Sequence, residues 1–156
     1  MAQVNTHRDE IPDAARASLP AEPRPRRGAI LVVEDRYDVR QGMAQLLELH
    51  GFLVVDAAGG EQALEHLRSD PQGFALILLD LMMPGPMSGH DLRSSQMAAP
   101  ALAEIPTIVV SASEPDAAVR AGLHADAWIA KPFRFDELLA LVKQYVTPEA
   151  RGLIAG

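Results

Sequence analysis

Unbroken apolar runs of strand length constrain this chain more than any other feature. AILVVED (29–35) and FALILLD (74–80) show no alternation of apolar with polar residues. A strand of that kind is buried on both faces, which is the situation of a parallel sheet covered by helices on either side. FLVVDAA (52–58), PTIVVSA (106–112) and AWIA (127–130) read as three further strands. Helical spacing fills the intervals. In YDVRQGMAQLLELHG, Val39, Met43, Leu46, Leu47 and either Leu49 or His50 fall on one face, and Gly51 closes the segment. GGEQALEHLRSDP turns Ala63, Leu64 and Leu67 inward and stops at Pro71. GHDLRSSQMA (89–98) is a third helix, EPDAAVRAGL a short fourth that Gly122 ends, and RFDELLALVKQYV (134–146) an amphipathic fifth. Five strands alternating with five helices imply an α/β fold: one parallel sheet joined by right-handed crossovers, with helices on both faces.

A chain of 156 residues fits one such domain plus tails. Residues 1–27 are rich in Pro, Ala and charge, lack apolar periodicity, and read as a flexible arm. Residues 28–147 form the folded body, and 148–156 a short tail, too little for a DNA-binding or enzymatic output domain. With no cysteine there is neither a disulfide nor a thiolate metal site. The N-terminus has no apolar core of a secretory signal, and no apolar run is long enough to span a bilayer. A soluble cytoplasmic protein is the expectation. The arm holds five Arg against four acidic residues, a net of +1, so the rest of the chain carries −8 of the total −7. That balance argues against direct nucleic-acid binding, which needs clustered basic residues.

In an open parallel sheet, ligands bind beyond the carboxyl ends of the strands. Glu34 and Asp35 end the first strand, Asp80 the third, Ser111 the fourth, and Lys131-Pro132 follow the fifth; Asp56, at the end of the second, looks ordinary. Three carboxylates gathered at one rim repel one another unless a cation joins them. A hard divalent ion such as Mg²⁺ takes one or two carboxylates and leaves room for phosphate oxygens. Lys131 and Ser111 opposite the carboxylates could hold further oxygens of a phosphoryl group, an inventory suited to phosphoryl transfer. A P-loop, a G-x-S-x-G nucleophile elbow, and a second aspartate two positions after Asp80 are all absent from the sequence; Met82 stands at that last position.

Taken together, ILVVEDRYDVR, LILLDLMMPG, IVVSAS and AWIAKPF resemble the receiver domain of two-component response regulators, over roughly residues 28–147. The resemblance implies a CheY-like, flavodoxin-like sheet in the order 2-1-3-4-5. It implies that Asp80 is the phosphoacceptor and that Mg²⁺ is the cofactor, held by Asp35, by Glu34 largely through water, by Asp80, and by the backbone carbonyl of Met82. Ser111 and Lys131 would each bond a phosphoryl oxygen, Lys131 ahead of a cis Pro132, and Trp128 would occupy the aromatic switch position. Met82, and Ser113 two residues beyond Ser111, match positions that tune water access to the acyl phosphate.

The implied partners are a sensor histidine kinase or histidine phosphotransfer protein and an unidentified downstream protein. That protein would be met on the fourth helix, fifth strand and fifth helix, without nucleic acid or membrane; a phosphorylation-dependent homodimer is left open. No enzymatic activity is implied beyond self-phosphorylation and autodephosphorylation. The rival readings are a phosphorylation-independent interaction module and a phosphate sink or relay shuttle. Three features depart from the family pattern: an extra residue, Pro86, in the loop after Asp80; a short interval from Ser111 to Lys131; and Trp in place of Tyr or Phe at 128. In the bland reading, Glu34 or Asp35 caps the next helix and Met82-Met83 serve packing.

Overall fold

The computed structural model describes residues 25–112 and 116–148. Five strands form a single parallel sheet: β1 (Ala29–Val33), β2 (Val54–Ala57), β3 (Phe74–Asp80), β4 (Thr107–Ser111) and β5 (Ala127–Ala130). The strand order is β2-β1-β3-β4-β5, as the resemblance implies. Helices α1 (Tyr37–Leu49), α2 (Gly60–Ser69), α3 (Gly89–Ala98), α4 (Ala117–Leu123) and α5 (Phe135–Tyr145) cover it, and one further helical turn, Pro100–Ala103, follows α3.

Alternation along each strand sorts the core into two layers. Ile30 and Val32 on β1, with Leu76 and Leu78 on β3, pack beneath α1 and α5 through Met43, Leu47, Leu138 and Val142. Leu31, Val33, Ile77 and Leu79 point the other way, toward Ala63, Leu64 and Leu67 of α2, Leu92 of α3, and Leu123 of α4. Every residue of β3 is buried, the central position that its uninterrupted apolar sequence requires. Among the described residues no helix is long and apolar enough to cross a membrane.

Several local expectations need correction. Leu46 shares the spacing of the buried face of α1 yet is exposed; Met43, Ala44 and Leu47 carry the contact instead. Gly122 does not end α4. The helix continues to Leu123, and His124 stops it in the left-handed conformation at φ 49°. As the short interval foretells, α4 is only 7 residues long. Met82 is not packed: the residue is 68 % exposed, whereas Met83 is buried. Neither Glu34 nor Asp35 caps α1, because Arg36 occupies that position and makes no side-chain cap bond.

Arg26, at the end of the segment read as an arm, is tied to the body. Its N–H donates to Tyr145 O at 2.8 Å, and its carbonyl accepts from Thr147 N at 2.9 Å. Residues 1–24, Ser113 and the tail from 149 lie outside the described residues.

Candidate functional site

Register builds the site. Val33 of β1 pairs with Leu79 of β3, so the next residues along, Glu34 and Asp80, emerge side by side at the carboxyl edge of the sheet. On the other flank Asp80 pairs with Val110, and Ser111 pairs with Ala130 of β5. The backbone N–H of Lys131 donates to Ser111 O at 2.7 Å, which brings the base of the lysine to the same rim. The Lys131–Pro132 peptide bond is cis.

The structure therefore gathers Glu34, Asp35, Asp80 and Lys131. The three carboxylates offer oxygens that all lie within 4.8 Å of one another. Lys131 Nζ donates to Glu34 Oε2 at 2.7 Å and, more weakly, to Asp80 Oδ2 at 3.4 Å. Glu34 and Asp80 are only 2 % and 5 % exposed, while Asp35 is half-buried. Two backbone donors hold the remaining carboxylate oxygens: Met82 N–H to Asp80 Oδ1 at 3.0 Å and Arg36 N–H to Glu34 Oε1 at 3.2 Å.

Burial raises the pKa of Glu34 above its ordinary 4.5, against the lowering effect of the Lys131 bond, and the charge of Asp80 pushes it further up. For Lys131, burial alone would lower the pKa, but the bond to Glu34 and the charges of Asp80 and Glu34 outweigh it and hold the group above 10.5. Three carboxylates facing one ammonium leave an excess of negative charge with oxygen donors only. That donor set fits a hard divalent cation, the more so because half-buried Asp35 gives it access to water.

The loop after Asp80 is shaped by two glycines. Gly85 takes φ +108°, a region side chains avoid, within the segment that carries the extra proline. At Gly89 a Cβ would stand 2.5 Å from Asp80 O, so only glycine lets the start of α3 lie against the backbone of the strand end. Ser88 closes the loop as a reciprocal cap with Asp91: the Ser88 hydroxyl oxygen accepts from Asp91 N–H, and the Asp91 carboxylate accepts from Ser88 N–H.

Ser111 is buried at the end of β4, one residue beyond the Asp80 pairing. Trp128 lies further back on β5, half-buried against the layer of α2, α3 and α4, with the Arg120 guanidinium of α4 stacked 5.1 Å from its ring centroid. Two arginines escaped the sequence reading. Arg40 on α1 is buried beside the acidic pair. Arg93 on α3 is buried under α4, where it donates to the carbonyls of Leu123 at 2.8 Å and His124 at 2.6 Å, and to Gln96 and Thr107. For Arg40 a signal existed in the sequence, since an arginine one helical turn into α1 can reach back over the loop before it.

Comparison with known proteins follows the same outline. A family profile described as the response regulator receiver domain matches residues 30–143. Sensory transduction protein RegX3 of Mycobacterium tuberculosis is 36 % identical over 117 residues, covering 74 % of this chain and 49 % of that protein. Transcriptional regulatory protein CpxR of Escherichia coli is 34 % identical over 116 residues, covering 73 % and 47 %. The chain thus spans about half the length of the curated relatives it matches. Among solved structures, response regulator TrrA of Thermotoga maritima, crystallised in complex with Mg(2+)-BeF, superposes with a TM-score of 0.66 at 29 % identity, covering 75 % of this chain and 97 % of that one. Vibrio cholerae chemotaxis protein CheY4 gives 0.68 at 23 % identity, covering 78 % and 100 %, a likeness of fold.

Proposed function

The chain belongs to the response regulator receiver domain family, and on that premise we propose that Asp80 is the residue that accepts the phosphoryl group in a Mg²⁺-dependent switch. One observation carries this reading: Glu34, Asp35 and Asp80 converge within 4.8 Å, with Lys131 bridging the first and the last. In the proposed reaction Asp80 Oδ2 attacks phosphorus. The bond from phosphorus to the donor breaks, a P–N bond for a phosphohistidine or a P–O bond for acetyl phosphate, and the donor leaves with the bonding pair. The Met82 N–H fixes Oδ1, so the second oxygen faces Lys131. Glu34, Asp35, Asp80 and the carbonyl of Met82 would hold Mg²⁺, whose chemistry is to neutralise charge on the phosphoryl oxygens during transfer.

Lys131 then takes one phosphoryl oxygen and the Ser111 hydroxyl another. These movements bias the α4–β5 face, where Arg120 and Trp128 touch, toward a second state that a downstream protein reads. Membership of the receiver family supports a histidine kinase or a histidine phosphotransfer protein as the donor. Met82, two residues beyond Asp80, is apolar and exposed, and on this reading it slows hydrolysis of the acyl phosphate.

Incubation with acetyl phosphate and Mg²⁺ tests the assignment by intact mass. The parent gains one phosphoryl group and Asp80→Asn gains none; equal labelling of the two would remove Asp80 from the role.

A further inference from the structure

Arg40 is 9 % exposed, and its guanidinium touches no carboxylate of the acidic cluster. It reaches instead beneath the loop that carries the cluster. Nη1 donates to the carbonyl oxygen of Glu34 at 2.9 Å and lies 3.5 Å from that of Asp35. Nε donates to Asp56 Oδ2 at 2.8 Å, on the neighbouring strand β2, and Gln41 Nε2 joins the same oxygen at 3.2 Å. The Tyr37 ring lies against the guanidinium, 5.5 Å from its carbon to the ring centroid. One side chain thereby ties α1, the β1–α1 loop and β2 together.

The two carbonyls it contacts belong to the peptide planes on either side of Asp35. Because each plane is rigid, fixing their oxygens fixes φ and ψ at Asp35 and so the direction of its Cα–Cβ bond. Among the described residues no other side chain bonds both planes: Glu34 Oε1 accepts only from the Arg36 N–H of the second plane, at 3.2 Å, and Arg36, the N-cap of α1, makes no side-chain cap bond. Asp56, which looks ordinary at the end of β2, balances the arginine's charge. The guanidinium thus draws on neither the Glu34 nor the Asp35 carboxylate; Glu34 is paired with Lys131 instead.

We propose that Arg40, anchored by Asp56, is a positioning residue that sets the divalent-cation affinity of the acidic cluster. The proposal rests on the reading that Glu34, Asp35 and Asp80 hold Mg²⁺. Partners that orient the ligands of a metal without touching it typically govern about 10–100-fold in affinity. The sign of the effect separates positioning from simple electrostatics. Removing a positive charge near a cation site tightens binding if only charge matters; freeing the loop weakens it.

The experiment is Mg²⁺ titration by calorimetry on the parent, Arg40→Gln, Arg40→Lys and Asp56→Asn, each first shown to unfold cooperatively in urea. Arg40→Gln should weaken Mg²⁺ about 10-fold or more. Arg40→Lys should weaken it nearly as much, because an ammonium keeps the charge but cannot span the Glu34 carbonyl and Asp56 together. Asp56→Asn leaves Arg40 in place and loosens its anchor, so a smaller loss is expected. Labelling by acetyl phosphate in the Arg40 variants should recover at high Mg²⁺, a shift in metal requirement rather than in final extent. A folded Arg40→Gln with parental or tighter affinity overturns the proposal and leaves the metal site intact. A parent that binds no Mg²⁺ overturns the metal reading itself.

Discussion

Replacing Lys131 with methionine keeps the length of the side chain and removes its charge, and two distances determine the outcome. In the parent, Nζ lies 2.7 Å from Glu34 Oε2 and 3.4 Å from Asp80 Oδ2. The Glu34 side chain is only 3 % exposed, so the variant leaves a carboxylate out of water with no cation beside it. Breaking one side of a buried pair costs about 3–5 kcal/mol. The lysine side chain is itself 23 % exposed, and water screens part of that interaction. A discounted value of about 2 kcal/mol follows. For a folded body of this size that is a fall in Tm of roughly 6–12 °C.

Because the folded-state pKa of Lys131 is raised above 10.5, the contribution is fully present below that value and fades only as pH rises through the higher one. A neutral buffer is therefore the right condition. Mg²⁺ should narrow the deficit. On the proposed reading the ammonium and the dication compete for the same carboxylates, so the variant should bind Mg²⁺ more tightly and regain stability by mass action. Melts followed by circular dichroism, in chelator and in saturating Mg²⁺, read both effects. A variant that melts with the parent in chelator, or a deficit that Mg²⁺ leaves unchanged, would refute the account of Lys131 as the balancing charge.

Other perturbations probe the frame around the site. Arg93→Met strips donors from Leu123 O, His124 O, Gln96 and Thr107, all of them in or under the α4 junction. It should cost about 3 kcal/mol or more in urea unfolding, well beyond a surface substitution. Ser88→Ala removes the cap of α3 and should cost about 1 kcal/mol. The Ser88 backbone N–H and then its hydroxyl hold the Asp91 carboxyl below 3.8, so the carboxylate's own part in the cap is present above 3.8 and lost as pH falls through the folded-state value. A carboxyl NMR titration should therefore show Asp91 moving part of the way back toward 3.8 in the Ser88→Ala variant.

What could be read from the sequence follows a physical line. Strand positions were legible because burial on both faces leaves a continuous apolar run; β3 and β5 fall where those runs place them, and α3 fills the segment read as a helix. The acidic pair, Asp80 and Lys131 were legible because a parallel sheet delivers every strand end to one rim. Helix ends were less so. Gly122 has the residue type of a terminator, but the stop lies at His124, where Arg93 holds the carbonyls of Leu123 and His124. Leu46 matches the helical period and still faces solvent, since periodicity gives a face and not its width. The buried arginines were hidden for a different reason. Arginine is usually exposed, and the partners that bury these two are mostly backbone oxygens, which have no identity in a sequence. Arg93 meets Leu123 across 30 positions of chain, a separation that no local pattern encodes.

The bridge between Arg26 and Val146 has a mechanical consequence. It joins the chain just before the first strand to the chain just after the last helix, at the pole of the sheet opposite the acidic rim. Entry and exit therefore sit within one hydrogen bond of each other, facing away from the acidic rim. A body so arranged can be spliced into a loop of a host protein, or have its ends joined and new ones cut elsewhere, without screening the rim from a donor. Tension applied through both ends would peel this small clasp open first, before it loaded the strands in shear.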